Sequence, residues 1–251
     1  MPSVAKMKPR ENIPAAEWEM RVDLAACYRL AAVHGMTDLP VAHISARVPG
    51  HPDHFLLNPF GLLFDEITAS SLVKIDMDGN LVEDSDYEVH RAGYMLHSSI
   101  LMGRPEINCV LHTHTIAGMA VSAQAEGLLD LAQCSMRFHN RLGYHDCEGI
   151  PDDPAERPRL QASLGDNYAM IMRNHGLLTA GRSVAEAWML NWCLERACQV
   201  QVAATGGAAK VVPAPADVAE YTAQQWARDN PQRQWPSMLR QLDRVDPSYR
   251  E

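Results

Sequence analysis

A layered α/β fold, with a mixed sheet and helices on both faces, is what the sequence predicts, on three observations. Segments carrying a helical apolar stripe alternate with short β-branched or apolar runs. An Asp78-Gly79 turn sits between two stretches of strand character, as in an antiparallel hairpin. The 251 residues are 47% hydrophobic, enough for one domain that buries on the order of 70% of its unfolded-chain surface.

From Ala15 to His34, Trp18, Leu24, Tyr28 and Leu30 fall mostly on one stripe, and Gly35 stops the helix. Strands are expected over His43 to Val48, Phe55 to Leu57, and Leu72 to Asp76 with Leu81 to Val82. Ala92, Met95, Leu96, Ile100 and Leu101 mark a helix between Val89 and Met102, closed by Gly103 and Arg104-Pro105. Cys109-Val110-Leu111 reads as a buried strand within Ile107 to His112, and Tyr168 to Arg173 as another. Asp153-Pro154 supplies an N-cap and N1 proline for a helix to Leu164, and Ser183 opens a long helix to about Ala204. Gly206-Gly207 and Pro213 to Pro215 mark a junction. Beyond it, Val218 to Glu251 reads as a surface helix plus tail, or as an arm packing on another subunit. The division expected is an N-terminal arm over 1–14, a main domain over 15–207 and a C-terminal helix and tail over 208–251.

Charge narrows the function classes. With 31 acidic against 22 basic residues the formal net charge is −9, which argues against nucleic acid as a partner. No run of about 18 apolar residues exists to span a membrane, and Met1 to Asn12 lacks an apolar signal-peptide core. A soluble, cytoplasmic protein is expected. The six scattered cysteines, with no C-x-x-C pair, then read as reduced structural thiols. Neither a phosphate-cradling glycine loop, a dinucleotide fingerprint nor Gly-x-Ser-x-Gly is present.

His112-Thr113-His114 is the sharpest chemical signal. Residues i and i+2 of a strand project from one face, which sets two imidazoles side by side. Such a pair suits a divalent metal, or is simply a hydrogen-bonded strand end. Asn174-His175-Gly176 ends a second buried strand, and sites in open α/β sheets collect at carboxyl ends of strands. Three histidines converging there with a position left open make a catalytic metal arrangement. His90 and His97 share a helix face with Gly93 between them. His90 is an acid/base candidate or a fourth ligand, whereas His97, inside Met95-Leu96-His97, reads as a buried, hydrogen-bonded histidine. Arg137, His139 and Arg141 form either a carboxylate clamp or a solvated polar loop.

Taken together, His43-Ile44-Ser45-Ala46-Arg47, Asn58 to Thr68, Arg104-Pro105-Glu106-Ile107-Asn108 running into His112-Thr113-His114, and Arg173-Asn174-His175-Gly176 resemble the class II aldolase/adducin superfamily. The stretch from Trp235-Pro236 to Tyr249 looks like the ending of bacterial members, so the resemblance covers about residues 15 to 249. It implies a three-layer α/β/α fold with a central mixed, largely antiparallel sheet. It further implies a catalytic domain over 15–207, a homotetramer with sites between subunits, and one divalent ion (zinc, manganese or iron) on His112, His114 and His175.

Sugar-phosphate aldolases of the superfamily carry a glutamate where this chain has Gly93, and bind phosphate where it has Ala42-His43 and Arg91-Ala92. The chain therefore looks like the adducin-like bacterial branch, which resembles metal-dependent decarboxylases. The expectation is a metal-dependent lyase cleaving a carbon–carbon bond, by decarboxylation or retro-aldol reaction, in a small non-phosphorylated hydroxy, keto or aromatic carboxylic acid. In it, His90 or His43 would move a proton, and Asn58, Arg137, His139 and Arg141 would bind substrate. An Fe(II) oxygenase on the same three histidines and a non-catalytic assembly module are the alternatives.

Overall fold

A computed structural model describes residues 13–89, 91–150 and 153–251. Seven strands, β1 (His43–Val48), β2 (His51–Leu57), β3 (Val73–Asp76), β4 (Cys109–Thr113), β5 (Gly143–His145), β6 (Ala169–Met172) and β7 (Gly176–Gly181), form one sheet in the order β3-β2-β1-β4-β7-β6-β5. Every neighbouring pair is antiparallel except β5 and β6. The mixed, largely antiparallel sheet is thus as expected.

Strand alternation distributes the core to two faces. Ile44, Ala46, Cys109 and Leu111 face α1 (Ala15–Val33), packing with Leu24, Tyr28 and Trp188, the last from the long C-terminal helix Val184–Thr205. Val110, Leu178 and Met170 face the other way, onto Leu96 and Ile100 of α2 (Arg91–Gly103) and Leu160 and Leu164 of the helix Arg157–Leu164. Three layers result. In chain order the remaining helices are α3 (Ile116–Ser122), α4 (Gln133–Met136), α5 (Arg157–Leu164), α6 (Val184–Thr205), α7 (Ala216–Trp226) and α8 (Trp235–Val245). Ser183 caps α6 by accepting from the Glu186 N–H, and Asp153 accepts from the Ala155 N–H, so both expected caps are present.

Several elements differ from the sequence reading. Leu81 makes only an isolated bridge to Ile75, so Leu81-Val82 closes a turn without becoming a strand. β7 was not expected, because Gly176 reads as a turn marker; its six residues are nevertheless all buried between β4 and β6. The C-terminal segment is two helices, and Trp235, Leu242 and Tyr249 are buried in the core cluster that holds α1 of the same chain. The Trp235 indole N–H donates to Asp23 at 2.8 Å, and the Tyr249 carbonyl accepts from the Ala69 N–H at 3.0 Å. All six cysteines are free. Among the described residues no helix is long and apolar enough to cross a membrane.

Candidate metal centre

Antiparallel pairing brings the carboxyl ends of β2, β4 and β6 and the starts of β1 and β7 to one edge of the sheet. His112, the last residue but one of β4, lies opposite His43, the first residue of β1. His175 stands in the turn from β6 to β7. That turn needs Asn174 at φ +55°, a left-handed conformation that asparagine tolerates better than most residues. Gly176 matters for a different reason. A Cβ there would lie 2.4 Å from the Thr113 carbonyl oxygen and 3.1 Å from His114 Cδ2, so only glycine lets the two strand ends approach.

The three imidazoles converge through their Nε2 atoms. His112 and His114 are separated by 2.8 Å, His114 and His175 by 3.0 Å, and His112 and His175 by 3.3 Å. The opposite nitrogens decide the tautomers. Nδ1 of His112 donates to the Leu177 carbonyl at 2.9 Å, and Nδ1 of His114 donates to the Asp38 carboxylate at 3.0 Å. With Nδ1 so engaged, the neutral form of each ring carries its lone pair on Nε2, and two such lone pairs 2.8 Å apart repel unless a cation lies between them. Imidazoles bound tetrahedrally at about 2.0–2.1 Å place their nitrogens about 3.3 Å apart, close to the observed spacing. The three imidazole nitrogens form a donor set that fits a divalent metal ion.

Electrostatics favour the ligating form. Burial, reinforced by His175 and His114, holds His112 well below the usual histidine range. Burial, with His114 and His145, pushes His175 down to about 4. Both rings are thus neutral at neutral pH.

His43 reaches this centre as well. Its ring stacks on His112 with centroids 5.1 Å apart, and its Nδ1 is 2.7 Å from Nε2 of His97. His97 is fully buried and hydrogen-bonded to the Ser45 hydroxyl, which fits its reading as a satisfied core histidine. A Cβ at Gly93 would stand 2.9 Å from Cδ2 of His43. The space that a side chain at 93 would need is filled by the His43 ring. His90 lies outside the described residues. Asn58 follows β2 at the same sheet edge; its carboxamide oxygen accepts from the Tyr28 hydroxyl at 2.9 Å, while its buried Nδ2 has no hydrogen-bond partner.

Arg137, His139 and Arg141 are not brought to the imidazoles within the chain. Arg137 and Arg141 line a cavity with Tyr168, Ala169 and Arg182, at the start of β6 and the end of β7, which is the opposite edge of the sheet. The Nδ1 of His139 is 2.6 Å from the Asp130 carboxylate. Their closeness in sequence to one another carried no information about which sheet edge their loop would serve.

Two supporting acids were missed. Asp38 orients His114, and Glu195 on α6 accepts from the hydroxyl of Thr115, which also caps α3 directly after His114. Asp38 lies in an irregular loop with no local signal. Glu195 reads as one more polar position on a long helix.

A family profile described as Class II Aldolase and Adducin N-terminal domain matches residues 22–202. A provisionally named aldolase class 2 protein of Pseudomonas aeruginosa is 48% identical over 252 residues, spanning 96% of this chain and 95% of its own. Alpha-adducin of Rattus norvegicus is 43% identical over 194 residues, 75% of this chain but 26% of the adducin. Among solved structures, an aldolase II superfamily protein from Pseudomonas syringae aligns with a TM-score of 0.92 at 48% identity, covering 96% of this chain and 99% of that one. L-fuculose 1-phosphate aldolase from Glaciozyma antarctica aligns at 0.83 with 26% identity, covering 98% and 97%.

Proposed function

The chain belongs to the class II aldolase and adducin family, and from that premise we propose that it is a divalent-metal-dependent lyase. Its reaction would break a carbon–carbon bond, by decarboxylation or retro-aldol cleavage, in a small non-phosphorylated hydroxy, keto or aromatic carboxylic acid. The observation that carries the proposal is the convergence of three imidazoles through their Nε2 atoms, with the Nδ1 atoms of two of them engaged by Leu177 and Asp38. When bound, the metal would supply Lewis acidity, stabilising the negative charge left on the substrate as the bond breaks.

The chain's own residues divide the remaining work. His112, His114 and His175 hold the ion. His43, stacked on His112 and with Nδ1 2.7 Å from His97, is the candidate to exchange a proton with substrate; His90 shares that candidacy on sequence grounds. The unpaired Nδ2 of Asn58 is a donor available to orient a substrate oxygen. A non-phosphorylated substrate is supported by Ala42-His43 and Arg91-Ala92 at the positions where the sugar-phosphate aldolases bind phosphate. A homotetramer with sites between subunits is part of the proposal. Ile116, 85% exposed two residues after His114, and Leu39, 71% exposed beside Asp38, give the centre an apolar rim for a neighbour to cover.

Elemental analysis combined with turnover of a hydroxy- and keto-acid panel, with and without oxygen, tests the reading. Cleavage without oxygen uptake, lost in His112→Ala with assembly unchanged, is expected. Full turnover by that variant would overturn it. The likeness to adducin favours a second reading, an idle site in an assembly module; an ion-free protein with no measurable metal affinity would establish that one.

A further inference from the structure

At the sheet edge opposite the histidines, a cavity of about 320 Å³ opens between α4, α6, α7 and the start of β6. Its one unusual occupant is Arg137, which is 9% exposed. Burying a guanidinium is unfavourable unless an anion accompanies it, and the other two arginines of the cavity are accompanied. Arg141 holds Glu220 through two bonds of 2.8 and 2.7 Å, and Arg182 holds Glu186 at 2.9 Å. Among the described residues Arg137 donates to Cys193 Sγ alone, at 3.6 Å, a weak acceptor, and its guanidinium lies 4.9 Å from the centroid of the Trp226 ring. A cation–π contact is weaker than that desolvation and does not offset it.

We propose that this cavity binds a small organic monocarboxylate with a planar apolar body, its carboxylate seated on the Arg137 fork. The guanidinium geometry matches a carboxylate bidentately. Phe138, Tyr168, Leu190 and Trp226 supply apolar walls, and the volume falls in the range of small-molecule sites. Asp166 and Asp229 also stand in the wall, so a second negative charge on the ligand meets repulsion; a monoanion is favoured over phosphate. The site is separate from the histidine centre, because β6 runs its whole length between Ala169 in the cavity and the turn that holds His175.

The test is calorimetric titration of the full-length, chelator-treated protein with 2-naphthoate, with 2-naphthamide and inorganic phosphate as controls. Metal removal keeps the carboxylate from binding at the histidines. One equivalent of naphthoate should bind, at least tenfold more tightly than the amide, and phosphate should not displace it. Arg137→Met should weaken binding at least tenfold and His175→Ala should leave it unchanged. Trp226→Leu, which leaves the arginine in place, should weaken it by a smaller factor and provides the reading if Arg137→Met does not fold. Equal affinity for acid and amide, loss of binding in His175→Ala, unchanged affinity in either cavity variant, displacement by phosphate, or no heat at millimolar naphthoate would each overturn the proposal.

Discussion

Placing a methyl group at position 93 tests whether the His43 ring occupies the space where related aldolases keep a carboxylate. In the structure the added Cβ comes 2.9 Å from Cδ2 and 3.1 Å from Cγ of His43. The ring has little freedom to retreat, since Nδ1 is held 2.7 Å from His97 and one face lies on His112. Overpacking of this kind costs about 1–3 kcal/mol, while alanine in a helix gains up to about 1 kcal/mol over glycine. Gly93→Ala should therefore destabilise the protein by about 1 kcal/mol. In a His43→Ala background the obstacle is gone, and the same substitution should be neutral or stabilising by up to about 1 kcal/mol. The coupling energy is then about 1–2 kcal/mol, outside the roughly 0.3–0.5 kcal/mol within which independent sites add. Urea unfolding of the metal-free wild type, the two single variants and the double variant measures it. Additive effects, or a Gly93→Ala protein more stable than wild type with His43 in place, would refute the assignment of that space to His43.

Two further outcomes follow from the groups around the centre. Asp38→Asn keeps an acceptor for Nδ1 of His114 but removes the charge, so metal affinity should fall about 10–100-fold in competition with a chromophoric chelator; unchanged affinity would show that Asp38 does not tune the ligand. Burial raises the Glu195 carboxyl above its ordinary value of 4.5. The folded chain then retains this proton longer than the unfolded chain, so the destabilisation is absent below about 4.5 and grows as pH rises to the folded value. Glu195→Gln should therefore gain stability relative to wild type between pH 4 and pH 7.5. A relative loss over that interval, read from urea midpoints, would contradict it.

The three histidines of the candidate centre are legible in the sequence because their information is local. The i, i+2 spacing at His112 and His114 places both imidazoles on one face of whichever strand carries them, and a buried apolar run ahead of His175 marks a second strand end. Caps behaved similarly: Ser183 and Asp153 act on N–H groups two or three residues away, so their sequence neighbours were sufficient.

What tertiary structure alone decided was partnership across distance. β7 separates the strands β4 and β6 whose ends carry the converging histidines, and Gly176 matters only because Thr113 comes to lie opposite it. His43 meets Gly93 because β1 packs under α2, and Asp38 meets His114 across a separation of 76 residues. The Arg137 loop went to the far edge of the sheet, since a loop's composition reports its solvation and not the strand ends it adjoins. Side-chain periodicity is set by bond geometry within a few residues, whereas which ends of which strands share an edge depends on pairing between segments far apart in the chain.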